Sequence, residues 1–200
     1  EKNTMHSLFS EELSLDIYKH DIHFDEKAFQ SGMLKIQFPN DNEKLSVYLK
    51  NKIPFENITI DLSVLEKEAL ASLKYCNFKK VTFTGAISYE NLNGSVFGNC
   101  FFEDCIFENV SLISSRCRVK LNNEIPIYGV FKECFLYRCE IKNFNIDTSK
   151  IYSVNQDPNV GKPVGAYLFM QSFVDECTLQ DGVCKNASII ASSLLCCKIA

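Results

Sequence analysis

The sequence predicts a mainly β chain that turns a corner every five residues and stacks its successive turns. Three observations carry that prediction. From Leu92 onward, eighteen positions five apart are all apolar: Leu92, Phe97, Phe102, Phe107, Leu112 and Cys117, then Phe131, Leu136, Ile141, Ile146 and Ile151, then Phe169, Val174, Leu179, Cys184, Ile189, Leu194 and Ile199. Fourteen of the eighteen positions two residues earlier are small, among them Ser95, Cys100, Cys105, Cys134, Cys139, Ser172 and Cys177. The residues between the two columns are mostly polar, as in Glu103-Asp104 and Glu108-Asn109. A period of about five matches neither the helix (3.6) nor the flat strand (2). A bulky and a compact column can both face inward if the chain bends at each repeat, and stacked turns then pair their backbones about 4.8 Å apart. Short repeats at fixed spacing mark a solenoid.

Composition sets the frame for this reading. Two hundred residues, 46% of them hydrophobic, can bury one sizeable core. With 21 basic and 25 acidic residues the net charge is only −4, which gives neither a polyanion-binding nor a strongly acidic surface. No apolar run approaches the ~18 residues of a membrane span, and no signal peptide is visible. The chain opens on Glu1 and the repeat is still running at Ala200, so an excised piece of a longer polypeptide is expected.

Residues 1–52 form an N-terminal segment with short helices, one opening at Ser10 and one at Asp41, where Leu45 and Leu49 share a face. Residues 53–200 form the repeat domain. It starts with the extended stretch "IPFENITI", in which Phe55, Ile58 and Ile60 are apolar. A helix near 63–74 follows, with Ser63 and Glu66 as a capping box and Leu65, Ala69, Leu70 and Leu73 as its buried stripe. The five-residue repeat then begins at Phe78 and Phe83, slips once, and resumes at Leu92. It breaks between Cys117 and Phe131, around "KLNNEIPI", and between Ile151 and Phe169. "SVNQDPNVGKPVG", near 152–165, reads as a loop bulging from the repeat, because its Pro and Gly end regular structure.

Seven of the ten Cys fall in the small inward column and two more, Cys117 and Cys184, in the bulky one; Cys196 alone should face out. The C-x4-C spacing of Cys100–Cys105 and Cys134–Cys139 equals the repeat, so packing explains it better than metal binding. This usage suits a reducing compartment, with all the thiols free. His6, His20 and His23 precede the repeats, and His20 and His23 near Asp16 and Asp21 read as a solvated loop. No glycine-rich phosphate loop or zinc-binding helix motif is present. No catalytic residue, cofactor or metal is expected, and the chain reads as a non-enzyme.

Candidate partner contacts are of two kinds. Loops on rigid scaffolds carry contacts, which singles out Asn155, Gln156, Asp157, Asn159 and Lys162. Outward aromatics can anchor a partner, which singles out Phe101 and Phe135; with Ile106 and Phe173, these are expected on different faces.

The paired columns over residues 76–117, 129–151 and 167–200 resemble the pentapeptide-repeat family. That resemblance implies a right-handed, four-sided parallel β-helix with about twenty residues per turn, so that Phe97 would lie under Cys117 and Phe131 under Ile151. The order of elements across Phe55–Ser88 is similar to the β-helix domain of HECT-like ubiquitin ligases injected by enteric pathogens, the SopA and NleL type. It implies a protein-binding module of a secreted bacterial effector, made in the bacterial cytoplasm and delivered into a host cell. The implied partner is a host protein, with no nucleic acid and no membrane. The alternative within the same family is a free-standing DNA mimic that protects DNA gyrase. Glu103, Asp104 and Glu108 followed by Arg116, Arg118 and Lys120 give the mixed signs that argue against it.

Overall fold

A computed structural model describes residues 49, 55–92, 94–113, 117–119, 128–155, 157, 159–161 and 165–200. The N-terminal expectations, including the three histidines, lie outside these residues, except that Leu49 is helical and buried. The segment 120–127 and the candidate residues Gln156 and Lys162 also lie outside.

The described chain is mainly β, and its strands pair in parallel. The first sheet runs β1 (Phe55–Glu56), β3 (Asn77–Lys79), β6 (Phe101–Glu103), β10 (Phe135–Tyr137), β15 (Phe173–Asp175) and β19 (Ser193–Leu195). The second runs β17 (Val183–Lys185), β12 (Asn145–Asp147), β7 (Ile106–Ile113), β11 (Glu140–Lys142), β16 (Thr178–Gln180) and β20 (Lys198–Ile199); β4 (Thr82–Ser88) joins it at β7 and β2 (Thr59–Asp61) at β4. The third contains β5 (Ser95–Gly98), β9 (Gly129–Lys132), β14 (Ala166–Met170) and β18 (Ala187–Ile190), and a fourth pairs β8 (Cys117–Val119) with β13 (Ile151–Ser153). From β5 onward the chain visits the third, first, second and fourth sheets in that order, twice, and then the third, first and second sheets again, twice.

The register corrects the expected stacking. Phe97 pairs with Phe131, and Cys117 pairs with Ile151. Both breaks in the repeat leave at the same place, after the second sheet, and each starts with a strand of the fourth. The expected loop at 152–165 therefore begins as part of β13. The fourteen-residue and eighteen-residue steps lengthen two of the rounds. The twenty-residue spacing survives where no excursion intervenes, as in Phe169 with Ile189 and Val174 with Leu194.

The corners show why a chain with few glycines can bend so often. Among the described residues, fifteen non-glycine residues have positive φ, from Asn57 to Cys196; those after Phe78 each lie two residues after a position of the bulky column. The rule adds Phe55 and Leu73 as inward positions before Phe78. The left-handed conformation costs an L-residue about 1–2 kcal/mol, least for Asn and Asp. Against that cost, the corner N–H groups bond to the next round: Asn99 to Lys132 O (2.9 Å), Asp104 to Tyr137 O (3.0 Å) and Arg138 to Asp175 O (3.0 Å).

Three sheets face one interior. Phe97 of the third sheet meets Phe102 of the first at 5.1 Å, and Phe102 meets Phe107 of the second at 5.1 Å, both edge to face. Along each column the rings stack, as in Phe97 with Phe131 and Phe131 with Phe169. The expected helix at 63–74 is shorter and differently capped. A 3-10 turn, Leu62–Val64, is capped by Asp61, whose carboxylate accepts from Ser63 N (2.9 Å) and Oγ (2.6 Å); α1 (Lys67–Ala71) follows. The short Asp61 side chain reaches the orphan N–H groups, so Ser63 serves as donor instead of cap. The predicted stripe Leu65, Ala69, Leu70 and Leu73 is buried.

In the small column, Cys and Ser side chains donate to backbone carbonyls: Cys105 Sγ to Phe78 O (3.4 Å), Cys139 Sγ to Phe102 O (3.6 Å) and Ser172 Oγ to Phe131 O (3.4 Å). Two of the large exceptions in that column are matched by glycine. A Cβ on Gly129 would lie 2.2 Å from the Tyr167 ring, and one on Gly182 would lie 1.9 Å from Phe144. In the last round, Ile189 is 47% and Ile199 69% exposed, and Cys184, expected to be inward, is exposed as well. The strands β17 to β20 each end a sheet, so no further described strand covers these side chains.

Candidate functional site

The outer side of the first sheet carries an aromatic ladder. In β6, β10 and β15 of this sheet, the residues flanking the buried inward one are half-buried and point out. The pairings of β6, β10 and β15 bring Phe101, Phe135 and Phe173 into register. Their rings stack, with centroids 5.3 Å apart and planes at 7° for Phe101 and Phe135, and 5.1 Å and 12° for Phe135 and Phe173. All three are half-buried. The expectation of separate faces is therefore corrected for these three. Ile106 alone lies elsewhere, on the second sheet in register with Glu140. The excursion makes the difference, because it shifts Phe135 by the same distance as the core residue Leu136 beside it.

Charge borders the ladder on both sides. At the level of Phe101 stand Asn99, Glu103 and Asp104; at Phe135, Glu133, Tyr137 and Arg138; at Phe173, Gln171, Asp175 and Glu176. Arg138 reaches across one round. It donates to Glu103 Oε1 (3.0 Å) through Nη2 and to Asp104 Oδ1 (2.9 Å) through Nε, with its guanidinium 4.5 Å from the Tyr137 ring centre. Desolvation lowers the Arg138 pKa, but Asp104, Tyr137 and Glu103 together outweigh it and raise the value. Five carboxylates thus share the three levels with one guanidinium. From the sequence, Glu103 and Asp104 stand out only as part of a mixed-sign run, and Glu133, Asp175, Glu176, Tyr137 and Arg138 do not stand out; the shared 34-residue spacing of Phe101 and Phe135 was the available signal.

The second sheet's outer side is mixed. Lys142 lies 3.5 Å from Glu108 and 3.7 Å from Glu140, and Lys185 lies 4.0 Å from Asp147. On the excursion, Asn155, Asp157 and Asn159 are exposed. The Asp157 carboxylate accepts from Asn159 N (2.9 Å), and its carbonyl accepts from Val160 N (3.0 Å), so it shapes a turn. Asn155, Asp157 and Asn159 follow β13 of the fourth sheet, whereas Phe101 and Phe135 lie on the first.

Cys76, Cys100, Cys105, Cys134, Cys139, Cys177, Cys184, Cys196 and Cys197 are free. The Cys177 thiol pKa is raised by its interaction with Cys139 and by burial, and that of Cys139 is raised by burial. Both stay protonated near neutrality and unreactive. Among the described residues, no group of three or more His, Cys, Asp or Glu could hold a metal ion, and no helix is long and apolar enough to cross a membrane. No protein-family profile, curated protein or solved structure matches the chain.

Proposed function

We propose that this chain is a protein-binding module built as a right-handed, four-sided parallel β-helix of the pentapeptide-repeat type. In this reading it belongs to a secreted bacterial effector and recognises a host protein, as the recognition domain of a HECT-like ubiquitin ligase. The cyclic order of sheets, the corner residues two after each inward side chain and the shared aromatic interior support the β-helix. One observation carries the functional reading: the interior is filled by stacked rings, while an outer face presents a continuous aromatic stripe with charged borders. A filled interior leaves binding to the surface, and outward aromatics supply the anchors of protein interfaces.

The DNA-mimic reading requires rows of outward acids spaced like phosphates. The pairs Glu108–Lys142 and Asp147–Lys185, and the Arg138 clamp on Glu103 and Asp104, break such rows. Cross-linked capture from host-cell lysate tests the proposal. A saturable host partner is expected; no partner, together with a parent gene lacking any secretion context, overturns it. A supercoiling assay showing gyrase protection would favour the mimic.

A further inference from the structure

We propose that the aromatic face of the first sheet docks an amphipathic α-helix of a partner protein, whose apolar stripe is bordered by Lys or Arg. The proposal deepens the protein-binding reading and rests on it. Spacing selects the helix. The rings climb the sheet in steps of 5.3 and 5.1 Å. On an α-helix, same-face residues three and four apart climb about 5 Å per step. On an extended strand, same-face residues climb about 6.7 Å, which falls out of step by about 1.5 Å per ring. A helix lying across the strands therefore meets all three rings through residues i, i+3 or i+4, and i+7.

Ring orientation and charge select its chemistry. Each ring turns a face to its neighbour and presents its rim outward, because the planes are only 7° and 12° from parallel. A nucleobase seeking a ring face finds those between the rings occupied, whereas the gaps between apolar rims suit Leu, Ile or Met side chains. Glu103, Asp104, Glu133, Asp175 and Glu176 outnumber Arg138 along the three levels. That surplus repels a phosphate polymer and attracts Lys or Arg flanking the stripe. Residues 1–48 carry nine acids and five lysines, so charge also disfavours this chain's own N-terminal part as the occupant.

The test titrates the full chain into a fluorescein-labelled synthetic helix of about 14 residues, with Leu at i, i+4 and i+7 and Lys on both borders. Saturable binding that weakens with salt is expected. It should fall about tenfold or more in Phe101→Ser/Phe173→Ser and, separately, in Glu133→Lys/Glu176→Lys. Both variants change outward positions, and unchanged circular dichroism will show that they fold. No wild-type binding, or binding by either variant as tight as that of the wild type, overturns the proposal. The same variants used in lysate capture separate the two readings. A host partner held equally by wild type and variants ends the docking proposal and leaves protein binding standing, whereas capture by none of them, together with a parent gene lacking any secretion context, ends the protein-binding reading itself.

Discussion

Phe102→Ala would remove the ring at the centre of the shared interior. Phe102 is fully buried, and its ring lies 5.3 Å from Phe78, 5.8 Å from Phe83, 5.1 Å from both Phe97 and Phe107, and 5.7 Å from Phe131. Those neighbours come from three sheets whose backbones are held by ladder hydrogen bonds, so the hole cannot close by a local shift. Burial of a Phe side chain is worth about 2–3 kcal/mol. The residual cavity and lost ring contacts bring the expected cost to about 4 kcal/mol. Phe135→Ala offers the internal comparison: its ring is outward and half-buried, and about 1 kcal/mol is expected. Urea unfolding followed by far-UV circular dichroism will read both, since the chain has no Trp. A Phe102→Ala cost no larger than that of Phe135→Ala would refute the reasoning, because the inward column would then not be the core.

Further outcomes follow from the same packing. Gly182→Ala should cost about 1–3 kcal/mol by clashing with Phe144, and Phe144→Ala should relieve part of that loss; additive effects in the double-mutant cycle would contradict the contact. Burial pushes the Tyr167 hydroxyl up to about 12, so its contribution is intact below about pH 10 and lost as pH rises toward 12. Alkaline titration should show up to about 2–3 kcal/mol lost over that interval, and Tyr167→Phe should flatten the curve. A thiol reagent should label Cys184, Cys196 and Cys197 at once and leave Cys76, Cys100, Cys105, Cys134, Cys139 and Cys177 until unfolding, with all ten thiols free under denaturing, non-reducing conditions. Immediate labelling of the buried six would mean that the column does not pack.

The inward columns were legible because each is a chemical choice repeated at fixed spacing: Phe97, Phe102 and Phe107 are bulky and buried, and Cys100 and Cys105 are compact and buried. The mainly β character with stacked turns followed from them, and the parallel pairing from the family resemblance. The register was not legible. The sequence shows that the repeat breaks between Cys117 and Phe131, but not that β8 and β13 pair with each other and set both excursions aside. That pairing decides which residues stack, which is why Phe101, Phe135 and Phe173 were placed on different faces. The corners carry a weaker signal. Asn99, Asp104, Asn109 and Asn143 suit positive φ, yet Tyr75, Lys80, Arg138 and Gln171 adopt it too, since inter-round hydrogen bonds hold the backbone whatever the side chain. Tyr167 and Phe144 look misplaced until the neighbouring round supplies Gly129 and Gly182.

Oxidative cross-linking of paired cysteines probes the inter-round register directly. Glu103 and Tyr137 are Cα partners on adjacent parallel strands, and neighbouring strands lie about 4.8 Å apart, within disulfide reach. With Cys184, Cys196 and Cys197 replaced by Ser, Glu103→Cys/Tyr137→Cys should close a disulfide rapidly under mild oxidation. Glu103→Cys/Lys142→Cys, one repeat out of step, should not, because Lys142 pairs with Glu108. Rapid closure of the second pair, or slow and equal closure of both, would contradict rounds stacked in this register and the aromatic face built on it.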